Sequence, residues 1–198
     1  MENAEKRVDI KDVSFTSTDG TSTIHARIWR PLGTFGERPR AIVQIVHGMS
    51  EHVRRYDEFA RYLCGRGYAV CGDDHIGHGA SAAPDKRGCM PARNGNEVLI
   101  DDEHALRALV SAEFPADTPY VFFGHSMGSF ITRCYLGRHG EGLAAAVICG
   151  TGTIPVVVSR AGHATARALA AVRGDDYRSK FLDSMGAGGY GKVVPGPT

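Results

Sequence analysis

No stretch of the sequence approaches the ~20 consecutive apolar residues that an α-helix needs to cross a bilayer, so no membrane-spanning helix is expected. A surplus of charge is missing too. The 23 Lys and Arg stand against 22 Asp and Glu, which gives no electrostatic reason to expect nucleic acid or an anionic membrane as the main partner. A small neutral substrate fits that balance better. Cysteine is sparse and odd in number: Cys64, Cys71, Cys89, Cys134 and Cys149 sit mostly inside apolar runs, where free buried thiols are common. This usage points to a reducing compartment. Met1 to Arg7 are charged with no apolar stretch behind them, so no secretory signal is read and the expected location is cytoplasmic. Histidine is missing from the last part of the chain, the final one being His163.

What is present suits one substantial buried core: 198 residues, 42% of them apolar. Val8 to Ser17 and Thr23 to Arg30 alternate in polarity around the turn-forming Asp19-Gly20, which predicts an antiparallel hairpin at a sheet edge. Ala41 to Val46 reads as a strand buried on both faces. Helical spacing of Tyr56, Phe59, Ala60 and Leu63 follows, ending at Gly65 and Gly67. A strand over Tyr68 to Cys71 leads into a glycine-rich loop from Gly72 to Gly79, and a helix is expected between Glu97 and Glu113, before Pro115. Tyr120 to Phe123 is a third buried strand, Phe130 to Tyr135 continue as a helix, and Leu143 to Cys149 supplies another strand. Strands and helices alternating in this way predict an α/β fold with a mostly parallel sheet covered by helices on both faces. From Pro155 the strand signal stops: Val156 to Arg173 and Tyr177 to Met185 read as helices, and Gly186 to Thr198 is rich in glycine and proline. The first of these helices mixes Arg160, Arg167 and Arg173 with valines; such a helix more often covers a core than touches a lipid interface.

The chemistry-bearing motif is Gly124-His125-Ser126-Met127-Gly128, set between a strand and a helix. A nucleophile at so sharp a turn has a strained backbone, and Gly124 and Gly128 leave room for the bend. The amides that open the following helix, beginning at Met127, face the same space and suit a developing oxyanion. His47-Gly48-Met49-Ser50-Glu51-His52 directly follows a buried strand, and Met49 is the candidate for a second oxyanion-binding amide. A serine that only caps a helix, or a plain strand-ending turn, would explain either motif alone.

Together with Asp74-His75-Ile76-Gly77-His78-Gly79-Ala80-Ser81 between them, the two motifs resemble the monoacylglycerol lipase and lysophospholipase family of the α/β-hydrolase fold. The resemblance implies Ser126 as nucleophile, Met127 and Met49 as oxyanion donors, His47 and Gly48 as the oxyanion loop, and no cofactor. It implies an acyl ester or lipid as the small-molecule partner, and a helical cap acting as an apolar funnel, with transient contact to a lipid interface. On that basis residues 1–153 are the N-terminal part of a hydrolase core and residues 154–198 the beginning of the cap.

A serine hydroxyl needs a base oriented by a carboxylate, and in this fold the order along the chain is Ser, acid, His. Asp175, Asp176 and Asp183 follow Ser126, but no histidine follows them. Glu141 and His163 have the right order, yet Glu141 belongs to the loop entering the Leu143 strand, away from the elbow. The side chain of His125 is expected to serve packing or local hydrogen bonding. The triad acid and histidine are therefore not identified in this chain, which is expected to hydrolyse slowly or not at all. A non-catalytic binding module on the same fold is the alternative. Asp73, Asp74, His75 and His78 could suggest metal ligation, but no second ligand pair stands at a recognisable spacing, and no metal is expected. Gly186 to Lys192 imitates a phosphate loop without its Ser or Thr, since Val193 stands in that place. An uncovered sheet edge is expected to favour self-association.

Overall fold

The computed structural model describes residues 8–91, 94–174, 177 and 179–185; the segments 1–7 and 186–198, with Asp175 and Asp176, lie outside them. Strands β1 (Val8–Thr16) and β2 (Thr23–Pro31) pair antiparallel from Val8 against Pro31 to Thr16 against Thr23. Their turn is closed by Asp19, whose carboxylate accepts the amides of Thr21 and Ser22 at 2.7 Å each, the kind of local bond that makes aspartate a turn residue.

Four further strands, β3 (Ile42–Val46), β4 (Ala69–Asp74), β5 (Tyr120–His125) and β6 (Ala145–Cys149), complete a six-stranded sheet in the order β1-β2-β4-β3-β5-β6. β2 runs antiparallel to β4, and β4, β3, β5 and β6 are mutually parallel. Strand β4 continues three residues beyond the expected stop at Cys71. Its two added carboxylates stay in the sheet because they are partnered: Asp74 accepts the amides of Val53 and Ala80 at 2.7 Å each, and Asp73 faces His75.

Helices α1 (Asp57–Cys64), α2 (Gly95–Ser111) and α3 (Met127–His139) connect the parallel strands. Their apolar faces divide the interior into two cores. One gathers Ile24, Ile28, Val46, Leu106, Phe122, Ile131 and Tyr135 on the side of α2 and α3. The other gathers Trp29, Val43, Ile45, Ala60 and Val70 on the side of α1. Strand β3 contributes to both and is buried along its whole length, its four aliphatic residues flanking a buried Gln44 that is partnered by Glu103 and Tyr120.

The described residues up to Thr151 and those from Gly152 onward form two compact units. The second contains α4 (Val156–Arg173) and α5 (Lys180–Met185), the latter shorter than the helix expected from Tyr177. No residue of α4 is buried, and Val157 and Val172 are about four-fifths exposed at 79% and 80%, so this helix does not cover a core as expected. The cysteines also depart from expectation: Cys64 and Cys71 are buried, Cys134 and Cys149 exposed. Both exposed thiols belong to α3 and β6, near the open side of the sheet, where Val147 is exposed as well. No helix among the described residues is long and apolar enough to cross a membrane.

Trp29 is fully buried and donates its indole N–H to Asp57 at 2.8 Å, so it joins β2 to α1 through packing and a hydrogen bond. Trp29→Ala is expected to lower the unfolding free energy by about 3–5 kcal/mol in denaturant titration; a loss under about 1 kcal/mol would show that the α1 side of the sheet is not a packed core.

Candidate active site

Strand β5 ends at His125, and Ser126 follows with φ 52° and ψ −117°, a left-handed conformation that serine rarely adopts. Surrounding structure holds it there. The Ser126 amide donates to the Cys149 carbonyl at 2.9 Å, at the end of β6, and the Ser126 carbonyl accepts both the amide and the hydroxyl of Ser129 at 2.9 and 2.6 Å.

The two flanking glycines permit a contact no other residue allows. A Cβ on Gly128 would run into the Val46 carbonyl and come within 2.6 Å of the His47 oxygen. One on Gly124 would meet Thr132 and lie 2.6 Å from the Gly128 oxygen. The start of α3 thus lies directly against the end of β3, and Ser126 between them is half-buried.

That same end of β3 releases His47-Gly48-Met49. A Cβ on Gly48 would stand 3.2 Å from the Ser126 Cβ, so the loop runs beside the serine. His47 is fully buried, and its Nδ1 lies 2.7 Å from the Gly48 oxygen. A carbonyl only accepts, so Nδ1 carries the proton; Nε2 is then free to accept the His75 amide at 3.1 Å. Burial, helped by the neighbouring His75, pushes the His47 pKa down to about 2, which keeps the ring neutral and suited to donating with one nitrogen while accepting with the other. Because the Gly48–Met49 peptide is trans, a carbonyl held towards His47 turns the Met49 amide the opposite way.

A second brace was not foreseen from sequence. Glu51 accepts the Gly48 amide at 2.9 Å and the Tyr56 hydroxyl at 2.8 Å, and the Tyr56 oxygen lies 2.9 Å from His125 Nδ1. One carboxylate therefore ties the Gly48 loop to the residue before Ser126. Burial alone would raise the Glu51 pKa, but the bonds from Tyr56 and Gly48 outweigh it and lower it, so the group stays ionised as a pure acceptor. The signal available in the sequence was weak: Glu51 and Tyr56 are simply a carboxylate and a phenol five residues apart after a turn.

Met127 opens α3, and its side chain packs against the α2–α3 core. Met49 is exposed. Asp73, His75 and His78 are buried beneath the His47 loop, with His47 and His75 stacked at 3.7 Å between ring centres. Glu141 lies in the turn between α3 and β6, where its carbonyl accepts from Arg107. His163 lies on α4 in the other unit. The glycine-rich Gly186 to Lys192 segment is outside the described residues.

A family model described as serine aminopeptidase S33, among the hydrolases, matches residues 37–177. Among curated proteins, mouse monoglyceride lipase is 34% identical over 109 residues, covering 55% of this chain and 33% of its own length. Monoacylglycerol lipase of Mycolicibacterium smegmatis is 30% identical over 152 residues, covering 74% of this chain and 50% of its own. A thermostable carboxyl esterase of Bacillus coagulans, solved with glycerol, superposes with a TM-score of 0.80 at 32% identity, over 96% of this chain and 59% of that one. The chain thus spans between a third and a half of these curated relatives.

The close approach at Gly128 is open to test. Gly128→Ala is expected to cost about 3 kcal/mol or more, because backbone rather than a flexible side chain must move. Gly137→Ala, on the same helix with open space around it, is expected to be neutral or to stabilise by about 0.5–1 kcal/mol. Equal unfolding free energies for the two variants would contradict this packing.

Proposed function

Because the chain belongs to the serine aminopeptidase S33 family of α/β-hydrolases, we propose that Ser126 is the nucleophile of a carboxylic ester hydrolase that works through an acyl-serine. The carrying observation is Ser126 at positive φ with Gly48 against its side chain. In this reading Ser126 Oγ attacks the ester carbonyl, and the amides of Met49 and Met127 receive the charge that develops on its oxygen. Collapse expels the alcohol and leaves the acyl group on Ser126; water then releases the acid. His47 and Gly48 shape the loop, and Gly124, His125 and Gly128 the bend.

The proton from Ser126 needs an acceptor. His47 has both ring nitrogens engaged, and His125 Nδ1 is turned to Tyr56 and Glu51, which supports neither as that base. In this reading the triad acid and histidine remain unassigned in the chain. Substrates of the monoacylglycerol type are favoured by the names of the relatives, and lysophospholipids by the motif resemblance alone, with residues 154–198 as the first part of a cap over the acyl chain and no cofactor. The exposed valines of α4 favour such a role, and contact with a lipid surface, over that of a core-covering helix.

Ester hydrolysis by the purified 198-residue chain is expected to fall several powers of ten below that of an enzyme with a complete triad. Turnover on the order of 1 per second or faster, abolished by Ser126→Ala, would overturn the missing-base reading. A fluorophosphonate probe separates catalysis from mere binding: labelling at Ser126 is expected once the C-terminal part of a relative is supplied in the same polypeptide, and silence there too would favour a binding module.

The outer edge of β6 pairs with no strand among the described residues, and Val147 on it is exposed. Size-exclusion chromatography is expected to show dimers or larger species; a single monomer peak at micromolar concentration would contradict self-association through this edge.

A further inference from the structure

Beneath the His47 loop lies a group of titratable side chains that ester hydrolysis does not use. Asp73 on β4, His75 just after it and Glu103 on α2 are all buried, at 1% exposure or less. His75 Nδ1 stands 3.2 Å from Asp73 Oδ1 and 3.2 Å from Glu103 Oε1, while its Nε2 stands 3.2 Å from the His47 carbonyl. The His47 carbonyl only accepts, and both carboxylates are acceptors alone when ionised. Glu103 Oε1, despite its closeness to His75, has no hydrogen bond of acceptable geometry, and its other oxygen accepts from Gln44, which Tyr120 in turn supports at 2.6 Å.

Two bare carboxylates side by side in a dry interior repel strongly, and an imidazole cannot satisfy three acceptors with one N–H. We propose that His75 is an imidazolium clamped between an ionised Asp73 and a neutral, protonated Glu103, and that this closed centre positions the His47-Gly48-Met49 loop. The balance of charge is then even: one cation, one anion, one neutral acid. His75 Nδ1–H donates to Asp73, Nε2–H donates to the His47 carbonyl, and the His75 main-chain amide donates to His47 Nε2. That last bond leaves His47 Nδ1–H to hold the Gly48 carbonyl, which orients the Met49 amide. His75 touches no substrate in this scheme; it is a positioning residue, and its part in catalysis rests on the role proposed for Met49.

The electrostatics agree with the geometry. Burial would push the His75 pKa down, but the Asp73 charge and hydrogen bond, with Glu103 behind them, raise it to about 9. Burial and the nearby Asp73 charge raise Glu103; burial would raise Asp73 too, but the charge and hydrogen bond of His75, with smaller contributions from His47 and the backbone, together lower it. Around this centre stand His47 above, stacked on the ring, His78 at its edge, 6.1 Å away, and Tyr120 and Cys71 beyond Gln44, with Asp102 feeling the Asp73 charge and Tyr135 that of Glu103. His47 and His78 are both held neutral by burial, so neither competes for the proton. Since the folded pKa of His75 lies above its ordinary 6.5, its contribution to stability is complete below about 6.5 and disappears as pH climbs through about 9. Asp73, His75 and Glu103 also bring three potential ligand atoms within 4.8 Å of one another, so a bound cation is the rival occupant.

Nitrogen-15 correlation of the histidine rings in the 198-residue chain tests the proposal without requiring activity. Near neutral pH, His75 is expected to show two protonated ring nitrogens and His47 a protonated Nδ1 with a bare Nε2; both His75 and the carbonyl carbons of His47 and Gly48 are expected to titrate with one midpoint near 9. Glu103→Gln, which mimics a protonated acid, is expected to preserve this pattern, and Asp73→Asn to remove the second His75 proton. If Asp73→Asn does not fold, the wild-type pattern and Glu103→Gln still decide. A single protonated nitrogen on His75, loss of the pattern in Glu103→Gln, loop carbonyls that ignore the His75 titration, or a change on adding zinc or EDTA would each overturn it. Failure here leaves fluorophosphonate labelling of Ser126 untouched, so the two readings fail separately.

Discussion

The start of α3 presses so closely on the end of β3 that not even a methyl group fits between Gly128 and the carbonyls of Val46 and His47. Everything at the site follows from that contact. It accompanies the left-handed bend of the Ser126 backbone. It also brings the loop leaving β3 alongside the serine, because the chain segments that carry the two motifs are joined at their bases. Close packing of backbone on backbone is stiff in a way that side-chain contacts are not, since neither partner has a rotamer to change. Under the acyl-serine mechanism proposed above, amides that receive a transient charge gain from that stiffness, because preorganised dipoles need not reorient as the charge appears.

The second feature is how polar groups are stationed under the loop. His47, buried and neutral, acts as a two-ended connector, donating to Gly48 and accepting from His75. From above, Glu51 binds the Gly48 amide and reaches Tyr56. The Gly48 peptide units are therefore held at both their N–H and their C=O ends, one by an ionised carboxylate and one by an imidazole. Such arrangements are costly to bury unless every member is satisfied, and nearly every atom here is. The exception, Glu103 Oε1, is where the proton accounting of the lower centre becomes informative.

Much of the fold was legible in the sequence because periodicity reports burial. Ala41 to Val46 read as a strand covered on both faces, observed over Ile42–Val46, and Asp19-Gly20 between two alternating runs read as a turn. What the pattern concealed were polar residues that enter regular elements by being partnered. Asp73 and Asp74 read as loop residues, yet they close β4 because amides and His75 meet their carboxylates. Glu103 sits in the apolar stripe of Leu99, Ile100, Leu106 and Val110 on α2, a charged residue at a core position, and that mismatch was the sequence clue that α2 adds to the Asp73 and His75 cluster. The bend and the loop were legible as motifs, but their mutual approach was not, since it depends on β3 and β5 being neighbours in register, with Val46 opposite Gly124. Helix α4 misled for the opposite reason: its valines suggested a covered face, and they are exposed.

The central claim is geometric: a serine in a left-handed bend with the Gly48 loop laid against its side chain, so that the amides of Met49 and Met127 can share one oxygen. A crystal structure of the chain carrying a phosphonate on Ser126 reads this directly. The account expects positive φ at Ser126 and a phosphonyl oxygen within about 3 Å of both amides. A serine relaxed to negative φ, or an oxygen turned to solvent with the Gly48 loop withdrawn, would contradict it.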